Sequence, residues 1–227
     1  MEKRKSGATR LKLLAAACDV FVEKGFRDAT VAEICKRAAA NISAVNYYFG
    51  SKEALYQQAW RHSFAESVKA HPQDGGVSGQ APAEERLRGQ VKALIERIAD
   101  GNSKDFFISQ MELAKPTGLL EHVMKSELNP LREQTLSVMW ELLGAEATEE
   151  QVVFCETCVL SMCIHPMLMQ RARQRSNSGD IPFLILDLAA YSERVMEFAM
   201  AGIGEIKRGQ RPVGLAAQHP DKNIPGS

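Results

Sequence analysis

The sequence carries no net charge, its 28 Lys and Arg balancing 28 Asp and Glu. Nothing therefore draws the chain as a whole to a polyanion or a charged membrane. Cysteine is scarce and odd in number, five in all, and the thiols sit inside apolar helical patterns rather than in loops. That favours buried reduced thiols over a disulfide framework. No apolar run approaches the ~18 residues that would cross a bilayer, so no membrane partner is expected. The basic start MEKRKSG is followed by Arg10, Lys12 and Asp19 instead of an apolar signal core, and a cytoplasmic location is expected. Catalytic signatures are missing as well: no Gly-x-Gly-x-x-Gly, no P-loop, no Gly-x-Ser-x-Gly elbow, no Glu-x-x-His pair. The histidines His62, His71, His122, His165 and His219 are scattered along the chain. An enzyme is not expected, and no cofactor or metal is required.

What is present is an ordinary globular composition, 45% hydrophobic and 25% charged over 227 residues, enough for one large domain or two small ones. The charge is unevenly placed. Residues 1–70 hold 12 Lys and Arg against 7 Asp and Glu, and residues 71–227 hold 16 against 21. A basic first third points to a polyanion partner for that part alone; the alternative is chance scatter. Nearly every periodic segment has helical spacing and none alternates convincingly as a strand, which predicts an all-α fold.

The first helix is expected over 9–24, with Gly25 as a left-handed cap. Thr30-Val31-Ala32-Glu33 has the pattern of a capping box and opens a short second helix. Ala38-Ala39-Ala40 makes a tight turn, and Asn41 is a good N-cap for a short third helix. Ser51 caps a longer fourth helix over 51–70. The stretch HPQDGGVSGQAP, 71–82, is expected to be a linker or flexible loop. Helices follow at about 83–100, 103–115, 117–143 (interrupted near Asn129-Pro130), 148–174 and 182–207, with a frayed tail over 209–227. Residues 1–50 thus form one domain, helix 51–70 connects, and 71–208 forms a second helical domain.

Three short helices with a tight turn outline a helix-turn-helix. At ~100° per residue, Ile42, Val45 and Phe49 gather on one side of the third helix and are expected inward. Ser43, Ala44, Tyr47 and Tyr48 fall on the other. Phenolic hydroxyls suit phosphate oxygens, and small side chains let a helix approach base edges. Lys52, beside the exposed amides that open the fourth helix, makes a phosphate site. The competing reading packs Tyr47 and Tyr48 against the neighbouring domain.

Ala16, Phe21, Gly25-Phe26, Thr30, Val31, Ile34, Ala38, Tyr47-Tyr48-Phe49 and Ser51-Lys52-Glu53-Ala54-Leu55 form an ordered series. With them the chain from Thr9 to Leu55 resembles the DNA-binding domain of TetR-family transcriptional repressors. The resemblance implies a homodimer gripping a double-stranded DNA operator through its third helix. It implies phosphate contacts from Thr30, Tyr47, Tyr48 and Lys52, and base reading by Ser43, Ala44, Asn41 and Asn46. A turn glycine common in the family is Ala39 here.

Farther on, Glu112-Leu-Ala-Lys-Pro-Thr117, Asn129-Pro130-Leu131 and Leu142-Leu143-Gly144 resemble the C-terminal ligand-binding domain of the CecR-type subgroup. The run Asn46 to Leu55 suits that subgroup too. An arginine expected just before Glu112 is Met111. Phe106, Phe107, Met111, Met124, Met139 and Trp140 are candidates to line a cavity for a small apolar or amphipathic effector; the alternative is plain core. In CETCVLSMCIHP, the stripe Val152, Cys155, Val159, Met162 and Cys163 suits the two-helix dimer face of this family. Cys155, Cys158, Cys163 and His165 also admit thiol sensing, or a metal site, although no second Cys-x-x-C completes a tetrahedron. The expected function is a homodimeric repressor released by a small ligand. The alternatives are a redox-sensing DNA binder using Cys155 and Cys158, and an all-helical enzyme or adaptor with no DNA role.

Overall fold

The computed structural model describes residues 2–176 and 185–209, all helices and turns, with no strand among them. The expected tail falls almost wholly on 210–227, outside the described residues. In chain order the elements are α1 (Glu2–Asp28), α2 (Val31–Arg37), α3 (Ile42–Phe49), α4 (Lys52–Ala70), α5 (Ala83–Ala99), α6 (Lys104–Ala114), α7 (Glu121–Leu143), α8 (Glu149–Ser176) and α9 (Leu188–Gly209).

The ends of the short helices follow their local chemistry. Thr30 accepts the Glu33 amide at 3.2 Å and Asn41 Oδ1 accepts the Ser43 amide at 3.0 Å. Ser51 accepts the Ala54 amide at 3.1 Å. Each side chain satisfies one of the amides that a helix start leaves unpaired. Gly25 does more than cap. With φ 74 and ψ 176 it breaks α1 outright instead of adopting the left-handed cap geometry, and helical turns resume beyond it. A side chain there would also lie 3.1 Å from Met111 Cε.

One expected interruption is absent, and the other is present in a tighter form. Pro130 sits inside an unbroken α7, and 71–82 is no slack linker. There the amides of Gly75, Val77 and Ala81 close successive turns on Pro72, Asp74 and Ser78. Gly75 lies directly on Gly89 of α5: a Cβ on either would come within 2.4 Å of backbone oxygen. Gly75 thus serves close approach, whereas Gly76 and Gly79 have open space where a Cβ would stand.

Two apolar cores result. The first joins α1–α4 to α6 and the start of α7, through Phe21, Val45, Tyr56, Trp60, Phe107, Ile108 and Val123. The second lies among α5, α7, α8 and α9, with Ile95, Val138, Met139, Val159, Cys163 and Met196. The first core thus crosses the expected domain boundary, because α6 packs on both α1 and α4. Within α8, Glu149–Gln170 is long and apolar enough by composition to cross a membrane, at mean hydropathy 1.7, against the expectation that no such run exists. In this fold α8 packs on α5, α7 and α9.

The turn between α2 and α3 holds Ala39 at φ 49, the left-handed region that disfavours a Cβ. Ala39→Gly should therefore stabilise the protein by about 0.5–1 kcal/mol, the relief of strain less the entropy that glycine adds to the unfolded chain. Urea unfolding with an unchanged m-value and a raised midpoint would show it.

Candidate nucleic-acid interface and effector cavity

The face that α3 offers is set by its neighbours. Val45 and Phe49 are buried, and Ala44 and Tyr48 are half-buried against the first core. Outward stand Ile42, Ser43, Asn46 and Tyr47, with Ile42 55% and Tyr47 79% exposed. Ile42 was expected inward with Val45 and Phe49. The buried arc instead centres between Val45 and Tyr48, which leaves Ile42 at the free edge of the helix. Of the pair expected to point away together, Tyr47 does so, and Tyr48 lies against the core with its ring edge-on to Tyr47 at 4.8 Å.

The flanking groups have structural duties of their own. Asn41 Oδ1 also accepts the Ser43 hydroxyl at 3.0 Å, so both residues are engaged in capping. The Lys52 ammonium sits 4.5 Å above the Phe26 ring and 3.5 Å from the Arg27 carbonyl oxygen, which fixes its head beside the start of α4. Thr30 is exposed at the start of α2. Arg37 and Lys24 are tied to Glu23 and Glu33 at 2.6 and 2.8 Å, and Arg37 holds the Glu23 carboxyl below its ordinary range. The surface around α3 is thus an apolar and amide-bearing ridge with a cation at its end, small enough in section to enter a major groove.

Between α4 and the helices of the second half lies a cavity of about 340 Å³, at the lower end of the ~300–1,000 Å³ of small-molecule pockets. Its apolar wall includes Leu87, Val91, Ile98, Phe106, Met124 and Val159. Of the expected lining, Phe106 and Met124 are there. Phe107 and Met139 are buried in the two cores, Met111 lies against Gly25, and Trp140 is 40% exposed. Val159 and Cys163, expected on a dimer face, line the cavity, and Val152 and Cys155 are inside the second core with them. Only Met162 of that stripe is half-exposed. The periodicity was sound, but the surface it packs against belongs to α5, α7 and α9 of the same chain.

The polar part of the wall was not anticipated. The buried Arg97–Asp105 ion pair joins α5 to α6, and Arg97 Nε donates to Ser67 Oγ of α4 at 3.0 Å. Trp60 of α4 lines the cavity and donates its indole N–H to Asp105 O at 3.1 Å and Ser109 Oγ at 2.8 Å. Arg132 forks onto the buried Glu156 at 2.9–3.1 Å. His71 Nε2 lies 3.0 Å from Asp100 Oδ2, which helps hold the Asp100 carboxyl below its usual range after the Asn102 amide. Single charged residues on helices give no warning of such pairing, and Gln73 and His71 stand in the stretch taken for a linker.

Below the cavity, Glu112 joins the two halves. Its buried carboxylate accepts the Thr117 amide and hydroxyl at 2.8 Å, the Gly118 amide at 3.0 Å and the Tyr56 hydroxyl at 3.2 Å. Burial and that carboxylate push the Tyr56 phenol well above its ordinary range. Nearby, Arg27 donates to Pro116 O at 3.3 Å and Gln57 to Leu119 O at 2.8 Å.

The family model for bacterial regulatory proteins of the tetR family matches residues 13–59, and that for the C-terminal domain of the HTH-type transcriptional dual regulator CecR matches residues 83–203. The chain is 30% identical over 162 residues to the HTH-type transcriptional dual regulator CecR of Shigella flexneri, spanning 66% of this chain and 71% of that protein. Among solved structures it resembles a TetR-like transcriptional regulator from Rhodococcus sp. RHA1, with TM-score 0.65 at 17% identity over 86% of this chain and 96% of that one. The fatty acid degradation regulator FadR from Bacillus halodurans aligns with TM-score 0.66 at 16% identity over 86% and 95%. At those identities the likeness is one of fold.

Of the α8 cysteines, Cys155 and Cys163 are buried and Cys158 is half-exposed. Burial, with Cys158 adding to it, pushes the Cys155 thiol up to about 11, and burial pushes Cys163 up to about 12. No cluster of metal-holding side chains occurs among the described residues. A thiol near 11 is about 0.1% ionised at pH 8, and the thiolate is the reactive form. Cys155 in the folded protein should therefore react with iodoacetamide at least ~100-fold more slowly than in guanidinium, as peptide mass spectrometry of timed samples would show. Equal rates would favour the thiol-sensing reading.

Proposed function

The chain belongs to the TetR family of bacterial transcriptional regulators and carries a C-terminal domain of the CecR type, and we propose that it is a homodimeric repressor released from its operator by a small apolar or amphipathic ligand. Family membership points to a DNA-binding transcriptional regulator. The observation that carries the rest is the position of α4: Trp60 is part of the cavity wall, and the same helix begins directly after α3, across Gly50 and Ser51.

In this reading each subunit lays α3 in a major groove, the two helices about one DNA turn (~34–36 Å) apart. Ile42, Ser43, Asn46 and Tyr47 meet the bases. Ile42 supplies an apolar contact for a thymine methyl and Asn46 an amide for adenine. Thr30, Tyr47, Tyr48 and Lys52 take phosphates, and Asn41 and Ala44 shape the approach. The subunits join through the outward side of α8, where Phe154, Cys158 and His165 lie, with Phe198 of α9, which is 71% exposed. A ligand that favours one arrangement of α4 over another changes the spacing of the two α3 helices and with it operator occupancy. The Shigella relative is named a dual regulator, which favours a second reading in which the same switch activates some promoters.

Gel shifts on the DNA flanking the protein's own gene, repeated over a range of salt, test this. Salt-sensitive binding of one fragment is expected, and its absence for every fragment would sink the reading in favour of an adaptor or enzyme. Lys52→Ala should weaken binding to all sequences alike and reduce the magnitude of the salt slope by about 1, with unfolding measured alongside because Lys52 also rests on Phe26. Ile42→Ala and Asn46→Ala should leave that slope unchanged and shift the preferred operator, by about 1–3 kcal/mol for the base pair concerned.

A further inference from the structure

The charged groups on the cavity wall are already spent. Arg97 is paired with Asp105, Arg132 with Glu156, and His71 with Asp100. Among the described residues no lining cation is left over to meet an anion, and a carboxylate entering here would have to break one of these pairs and leave a buried charge behind.

Two other groups have not been satisfied by the chain. Gln73 Oε1 and Gln90 Oε1 are buried beside the cavity and accept no hydrogen bond from it. For Gln73 the orientation is fixed: its Nε2 donates to Leu131 O at 2.6 Å and to Thr135 Oγ1 at 3.2 Å. Leu131 O can only accept, so the amide cannot be turned over and Oε1 stands as an acceptor. A buried acceptor without a donor is costly, and a ligand that brings the donor recovers that cost.

We infer that the cavity takes an uncharged, mainly apolar molecule bearing a hydroxyl or other neutral hydrogen-bond donor, which binds Gln73 Oε1 with Gln90 beside it, and that it disfavours a carboxylate of the same length. This rests on the effector reading above and narrows it. It also separates this chain from a fatty-acid anion as ligand, whatever the FadR of Bacillus halodurans takes into the same fold.

Calorimetric titration of the full-length protein with 1-decanol, decyl methyl ether and decanoate tests the inference. Decanol is expected to bind about tenfold more tightly than either of the others, the worth of one good neutral hydrogen bond in a dry site. Gln73→Leu should bring decanol to the level of the ether. Gln90→Leu, which removes no bond seen within the chain, should weaken decanol as well and guards against misfolding of the first variant. Decanoate binding as tightly as decanol, ether and alcohol binding alike, or no binding by any of the three would each overturn it. Operator gel shifts with decanol present keep the two readings apart: the expected ranking without any change in operator occupancy upholds the ligand class and refutes ligand-controlled repression.

Discussion

The whole molecule depends on the seam where α6 lies against α1 and α4. The helix-turn-helix does not close a core by itself. Phe107 and Ile108 of α6, with Leu120 and Val123, complete the cluster around Phe21, Tyr56 and Trp60. The hydrogen bonds at the seam run from one half to the other. Ser63 of α4 accepts the Asp105 amide at 2.8 Å, so α4 satisfies one of the amides that the first turn of α6 leaves unpaired. Trp60 adds two bonds from the same side, and Glu112 gathers Tyr56 and the turn after α6 at the other end. Burial alone would hold these helices together, but the directed bonds fix their register.

That register is why the proposed switch runs through α4. It contributes Trp60 to the cavity wall and Leu55 and Tyr56 to the core beneath α3. Its N-terminus follows α3 with a single positive-φ glycine, Gly50, between them. A rotation of α4 about the seam is therefore transmitted to α3 without passing through any slack segment. The proposed switch needs no long chain of couplings, because one helix both lines the cavity and adjoins α3.

Local grammar was the legible part of the sequence. The capping residues Thr30, Asn41 and Ser51, the tight turn at Ala39 and most helix limits are consequences of interactions within a few residues, and these are written into the chain directly. What could not be read is which side of a helix its neighbours occupy. On α3 the apolar Ile42 looked like core and the polar-tipped Tyr48 did not, yet position relative to α2 and α4 decided, with Tyr48 half-buried and Ile42 out. On α8 the stripe of Val152, Cys155, Val159 and Cys163 was correctly apolar, but periodicity carries no information about whether the covering surface is the chain's own or another's. Gly75 was misleading for a related reason: glycine serves both looseness and close contact, and Gly89, which decides for contact, lies on another element.

The Arg97–Asp105 pair shows how a costly feature fits this arrangement. Replacing a buried ion pair by apolar groups is often neutral or better for stability, whereas breaking one strands a charge at a cost of about 3–5 kcal/mol. Here the guanidinium binds Asp105 of α6 and Ser67 of α4 while lying on α5, with its Cζ 4.8 Å above the Phe64 ring. Three helices meet at one point that resists being opened. A ligand that swelled the cavity by parting α4 from α6 would have to open that point. A ligand that turned α4 and α6 together would not. The buried pair therefore restricts the motions available to the proposed switch to those that carry α4 and α6 as one body, and such a motion moves the helix-turn-helix with them.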